Sequence, residues 1–399
     1  MGFSQGLSGL SAAAKALDVV GNNIANSQTY GFKAGSASFA DIFAGSTGMG
    51  VQVTGVSQNF GDGSLANGSS ALDMGISGRG FFRMVDEAGS VFYGRNGEFE
   101  EDQNGFIVNK TNKLFLTGYQ ATNGVINPGA QVGPIQIPKE DMPPAASTKG
   151  ALSGTLNSGT DLITKKPFDP EDDETYSHMS QFTATDSLGN KHDIQVYFAR
   201  TGDGEWEAYA KDSTAPVTGA FTAFSVKFDP SGKMITNPAV MNIKGVAHNG
   251  ANALDLNLDL GGLTQVAKEP QVKLEEIDGQ APGTFNNYQV SDTGEVIAIY
   301  SNGKRQTVAQ VVLADFANAG GLEQQGNNVW AETVQSGQPF LGTSGTGSFG
   351  KVSGGMLEAS NVNLGDEMVN MIVYQRNYQS NSQTIKTQSE VLQTLVNLR

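Results

Sequence analysis

Apolar positions open the chain in a helical rhythm: Phe3, Leu7, Leu10, Ala14, Leu17, Gly21 and Ile24 recur at alternating steps of four and three. That spacing predicts a helix with a coiled-coil-like stripe along one face. The far end carries a matching stripe of Leu364, Met368, Met371, Tyr378, Ile385 and Leu392, with Ile372 beside it and Gln375, Ser382 and Ser389 at alternate seam positions. At 1.5 Å per residue, the two helices would be about 35 and 55 Å long. Both stripes are weak. Gly6, Gly9 and Gly21 each cost about 1 kcal/mol relative to alanine inside a helix. The polar seam positions also remove apolar burial. A hairpin of two such helices in one chain would be marginal, whereas a bundle built from many copies would gain from every added neighbour. Intermolecular assembly accounts better for the pattern.

Between these ends the rhythm changes to period two. "GFFRMVDEAGSVFYGRNGEF" and "EFEEDQNGFIVNKTNKLFLTGY" alternate around Gly-containing turns, and Asn104-Gly105 has hairpin-turn chemistry. "NNYQVSDTGEVIAIYSNGKRQTVAQVVLADF" does the same further on. The blocks 71–145 and 285–357 are expected to be halves of one β-domain, with a second β-domain at 146–284 inserted between them. Pro/Gly punctuation at 142–150 and 279–284 marks the crossings and predicts flexible joints there. The expected fold class is therefore multidomain: a terminal helical domain (1–30 with 360–399), a flexible connecting segment (31–70 with 358–359) and two nested mainly-β domains.

Where the first helix should end stands "GNNIANSQTYGFKA" (21–34). Asparagine side chains hydrogen-bond nearby backbone and tolerate left-handed dihedrals, so Asn23 and Asn26 suit a helix end. Thr29, Gly31 and Phe32 follow, with Gly31 free to turn and Phe32 able to anchor the turn. An ordinary cap would need the asparagines but not the Tyr-Gly-Phe-Lys behind them.

Composition narrows the choice. The chain has 399 residues, long enough for two to four domains, and 51 are glycine. A net charge of −15 argues against nucleic acid, whose phosphates call for Lys and Arg. Residues 1–60 contain only Lys15, Asp18, Lys33 and Asp41, and residues 359–399 are also balanced, so the excess acid lies in the middle. Near-neutral ends can lie close to copies of themselves while an acidic middle stays solvated. There is no cysteine, no basic-then-apolar leader of the Sec type and no apolar run long enough to span a membrane.

Candidate chemistry is sparse. His178, His192 and His248 have no ligand spacing, and "FDPEDDE" (168–174) lacks the spaced ligands of a calcium loop. Glu205 and Glu207 flank Trp206 on one strand face, a local carboxylate pair of a kind common at hairpins. The Gly-rich 336–351 stretch lacks the Lys-Ser/Thr of a phosphate loop. No catalytic residue, cofactor site or metal site is assigned, and no enzymatic activity is expected.

The helix-exit motif Asn22-Asn23-Ile24-Ala25-Asn26 with Thr29-Tyr30-Gly31-Phe32-Lys33 resembles the signature of the bacterial flagellar rod and hook family. The C-terminal stretch "LEASNVNLGDEMVNMIVYQRNYQSNSQTIKTQSEVLQTLVNLR", together with residues 48–82 and 93–109, is similar to the same family. The insertion at 146–284 points to its hook branch, because distal rod members are shorter. The resemblance implies a structural subunit of a curved, torque-transmitting tube. Its terminal helices would line the export channel and its β-domains would lie further out. Implied partners are further copies of the chain, the distal rod protein, the hook–filament junction protein, the hook cap protein and the type III export apparatus, with no nucleic acid and no membrane insertion. The implied location is the extracellular hook, reached without a cleaved signal peptide. The alternatives are a distal rod subunit forming a straight shaft and a monomeric glycan-binding β-protein or hydrolase.

Overall fold

The computed structural model describes residues 2–44, 47–214, 221–245, 247 and 249–397. Met1, His248 and the last two positions, which entered the sequence reading, lie outside the described residues. The chain divides into two compact units. One comprises Met1–Lys139, Asn286–Ile299 and Arg305–Arg399; the other comprises Glu140–Phe285 and Tyr300–Lys304.

In the first unit, helix α1 spans Gly2–Ala25 and helix α2 spans Leu364–Asn397. The start of α2 is capped. The Asn363 side-chain oxygen accepts from the Gly365 N–H at 3.0 Å, and Asp366 and Glu367 sit in the first turn, where the helix dipole favours acids. Helix α1 ends as its asparagines dictate: Asn26 donates backbone and side-chain N–H groups to the Asn22 carbonyl, each at 3.0 Å. The chain then turns at Gly31, whose φ of +69° is left-handed. A side chain there would also strike the Asn96 backbone nitrogen at 2.3 Å, so this position requires glycine.

Part of the 31–70 segment, expected as a flexible connection, is a long antiparallel ribbon. Strand β1 (Gly35–Ala44) pairs with strand β2 (Thr47–Gln58) from Gly35 opposite Gln58 to Ala44 opposite Thr47, with register shifts at Ser38/Phe39 and Ile42/Phe43. The alternation that makes it a ribbon is diluted by Gly, Ser and Ala, which is why it read as a linker. Beyond it lies an antiparallel β-body in which Arg305–Asp315 pairs with Phe115–Gln120 and with Phe81–Val85. Its aromatic core sets Phe81 edge-on to Phe60, Phe316 and Trp330.

The second unit is built on two four-stranded sheets. One orders Val240–Lys244, Asp255–Val266, Lys149–Asn157 and Gln271–Ile277; the other orders His178–Thr185, Lys191–Gly202, Glu205–Asp212 and Thr222–Lys227. Their inner faces share one core that includes Trp206, Phe198, Leu256 and Leu258. The stretches 142–150 and 279–284, expected as joints, run against each other through bridges between Met142 and Gly283 and between Ala145 and Gln280.

Candidate assembly interface

Within one chain α1 and α2 pack antiparallel. A Cβ on Gly6 would lie 3.1 Å from Ile385, one on Gly9 would lie 2.8 Å from the Asn381 side chain, and the Asn23 Nδ2 donates to Glu367 Oε1 at 3.2 Å. The inward face of α1 is therefore Gly6, Gly9, Ala13, Ala16, Val20 and Asn23, set one position back from the stripe of large residues. Two of the glycines expected only as a cost to the helix, Gly6 and Gly9, face α2 directly. Small side chains of this kind let helix backbones approach, and a search for large apolar residues passes over them.

The predicted seam residues consequently divide. Met371 and Ile385 are half-buried, and Tyr378 is exposed. Leu10, Ala14, Leu17 and Ile24 are also half-buried. Phe3 and Leu7 remain 47% and 53% exposed, and Leu364, Met368, Ile372 and Leu392 are exposed as well. Burying one such side chain contributes about 1.5–3 kcal/mol, so this surface has large unused capacity for association.

The helix exit is a tight knot. Asn23 is almost fully buried and bonds the Gly35 backbone twice, Nδ2 to the carbonyl and Oδ1 from the N–H, each at 2.8 Å. One side chain thus fastens the end of α1 to the start of the ribbon. Thr29 donates to Asn26 Oδ1 at 3.2 Å, and Phe32 is buried.

Three residues that carry this knot were not read together in the sequence: Lys33, which closes the helix-exit motif, Arg95 and Glu358. The buried Glu358 carboxylate accepts from Lys33 Nζ at 2.6 Å, from an Arg95 guanidinium nitrogen at 3.0 Å and from the Gly63 N–H at 2.9 Å, while its backbone carbonyl accepts from the Gly31 N–H at 2.8 Å. Arg95 also donates to the Gly78 carbonyl at 2.7 Å and lies over the Phe81 ring. Burial lowers the Lys33 pKa, Arg95 lowers it further, and Glu358 opposes both. The available signal was that Lys33 is one of only four charges in the first sixty residues.

The chemistry candidates dissolve into local structure. Glu205 pairs with Lys227 at 2.8 Å, and Glu207 accepts from the Tyr209 hydroxyl at 2.5 Å. In the acidic 168–174 stretch, Asp172 and Glu174 share Lys165. His192 is buried between Asp212 at 2.6 Å and Asp186 at 3.4 Å. Among the described residues no group of His, Cys, Asp or Glu could hold a metal ion, and no helix is long and apolar enough to cross a membrane.

Comparison with known proteins places this architecture. Residues 5–33 match the flagella basal body rod protein pattern, 75–154 the flagellar hook protein FlgE/F/G D1 domain, 155–280 the flagellar basal body protein FlaE D2 domain, and 353–398 the flagellar basal body rod FlgEFG protein C-terminal pattern. The flagellar hook protein FlgE of Escherichia coli strain K12 is 48% identical over 403 residues, covering 100% of both chains. The chain belongs to the flagellar hook protein family. The hook protein FlgE of Salmonella typhimurium is likewise 48% identical over 405 residues with both chains fully covered, and that of Brucella suis is 30% identical over 99% of this chain and 98% of its own. Among solved structures, the Helicobacter pylori flagellar hook protein FlgE2 aligns with a TM-score of 0.54 at 17% identity, over 74% of this chain and all of its own, which is a likeness of fold. The hook family thus accounts for a mostly-β, multidomain chain with a helix at each end.

Proposed function

We propose that this chain is the structural subunit of the flagellar hook, self-assembling into a curved tube that works as a universal joint between rod and filament and encloses the export channel. One observation carries the reading: each chain closes its helix pair with glycine and alanine and turns Phe3, Leu7, Met368, Ile372 and Leu392 outward. A joint that bends while turning needs continuous apolar contacts near its axis and shallow polar ones outside. The near-neutral ends and the acidic middle supply that division. The partners proposed with this role are the distal rod protein, the hook–filament junction protein, the hook cap protein during growth and the type III export apparatus. The proposed location is extracellular.

The hook is preferred to a straight rod because relatives aligned along the whole chain carry the hook name. Sedimentation of the full-length chain and of a chain lacking both helices, followed by electron microscopy, tests the reading. Curved tubes from the full-length chain alone are expected. Straight tubes would favour the rod, and a full-length chain that stays monomeric at high concentration would overturn assembly altogether.

A further inference from the structure

We infer that Asn123 and Asn249 are sites of spontaneous covalent modification, each losing its side-chain amide through attack by the glycine that follows. The pair Asn-Gly occurs six times, at 67, 96, 104, 123, 249 and 302. Glycine has no Cβ to shield its nitrogen, so by sequence all six are candidates. In the reaction the glycine N–H gives its proton to a base in the solvent, and the nitrogen bonds to the asparagine Cγ. The side-chain nitrogen leaves as ammonia, and a succinimide ring closes. Water then adds to either ring carbonyl and opens the ring to aspartate or isoaspartate. No oxidant, reductant or partner protein takes part, and assembly is not required. The fold must supply two things: an asparagine side chain able to turn onto its own backbone, and a glycine N–H that no acceptor holds.

Four of the pairs lack one or both. Gly68 donates to the Gly355 carbonyl at 2.8 Å, Gly105 to that of Asp102 at 3.2 Å and Gly303 to that of Tyr300 at 2.9 Å. Asn302 is pinned as well, its Nδ2 donating to the Ala281 carbonyl at 2.7 Å and its Oδ1 accepting from the Lys304 N–H at 3.0 Å. Asn96 is buried, and its Oδ1 accepts from the Glu98 N–H at 2.8 Å. Exposure alone does not make this division, because Asn67 and Asn104 are exposed. The remaining two pairs meet both conditions. Asn123 and Gly124 form the tip between Thr122 and Val125, whose backbones bond in both directions at 3.0 Å. Their φ values of +51° and +80° are left-handed, as a two-residue hairpin tip requires. Asn249 and Gly250 repeat this at +47° and +83°. Both asparagines are exposed. Among the described residues, neither their side chains nor the N–H groups of Gly124 and Gly250 have a hydrogen-bond partner. Each conversion adds a negative charge to a chain already at −15, and the isoaspartate product also inserts a methylene into the backbone of the turn.

Peptide mapping by mass spectrometry tests the assignment on the full-length folded chain, held in dilute, mildly alkaline buffer and sampled over time. Asn123 and Asn249 should convert first. The other four should lag by about tenfold, because each must first break a hydrogen bond. Labelling with an isoaspartyl methyltransferase should find isoaspartate at both leading sites, since ring opening supplies that product and direct hydrolysis of the amide does not. Aspartate alone would remove Gly124 and Gly250 from the reaction and overturn the proposal. The same chain unfolded in urea should convert all six pairs at matching rates. A lead for Asn123 and Asn249 in urea would assign the order to flanking sequence and defeat the structural argument. So would any of the other four keeping pace in the folded chain, or either of the two lagging with them.

Discussion

Lys33 and Glu358, 325 positions apart in the chain, form an ion pair of 2.6 Å with both side chains withdrawn from solvent. Glu358 also holds Arg95, which has a second, longer ion pair with Asp62 at 3.6 Å, so two carboxylates serve the two buried cations. Removing one member of a buried pair leaves an uncompensated charge and costs about 3–5 kcal/mol. Glu358→Gln, which strands Lys33 and leaves Arg95 only its longer pair with Asp62, should therefore destabilise the first unit more than Lys33→Met, which leaves both Arg95 pairs intact. Urea denaturation of both variants checks the order. Equal losses would mean that Asp62 alone suffices to compensate Arg95.

Two of the glycines in α1 should behave oppositely. Gly9 faces Asn381, so Gly9→Leu should push α2 away and lower the helical content of the monomer by circular dichroism. Gly21 has open space where a side chain would go, so Gly21→Ala should raise helix stability by about 1 kcal/mol. Losses from both would place α2 against Gly21 as well.

Most of α2 is exposed, and its packing within the chain is confined to one face against α1. Dilute monomer should therefore lose both terminal helices to limited proteolysis, with α2 cut first, and retain a core near 26–363 that keeps the ribbon and the Lys33–Glu358 pair. Helices that resist digestion in dilute solution would show that the pair is stable without neighbours.

The acid response of the second unit follows from Asp186. Burial pushes its pKa up, but hydrogen bonds from Asn190, Leu188 and His192 outweigh this and hold it at about 2, below its ordinary 3.8. A carboxylate depressed on folding contributes stability that is complete above its unfolded value and is lost as pH falls through its folded value. Asp212, also depressed, adds to the same trend. Trp206 fluorescence in a Trp330→Phe background should report unfolding of this unit as pH drops from about 4 towards 2. Asp186→Asn should flatten that dependence and lower the neutral-pH melting temperature. An unchanged acid profile would assign the transition to other carboxylates.

The two helices and the period-two strands were legible because burying one face imposes a period on the residues that do it. The helix-exit motif was legible because Asn and Gly have specific backbone uses, and Asn23 and Gly31 occupy such positions. The inward helix face escaped notice because Gly6, Gly9, Ala13 and Ala16 contribute closeness rather than apolar mass. The Lys33–Arg95–Glu358 group escaped for a different reason: its members are brought together by tertiary folding across hundreds of residues, and no local spacing records that.

The Glu358 junction also bears on how force passes through the molecule. The segment leaving α1, the Arg95 strand end of the β-body and the segment entering α2 all meet on this one residue. Whatever pulls on either helix is therefore resisted at one residue by three attachments. Under the proposed role in the hook, a load arriving through either helix would meet the β-body at this single buried carboxylate.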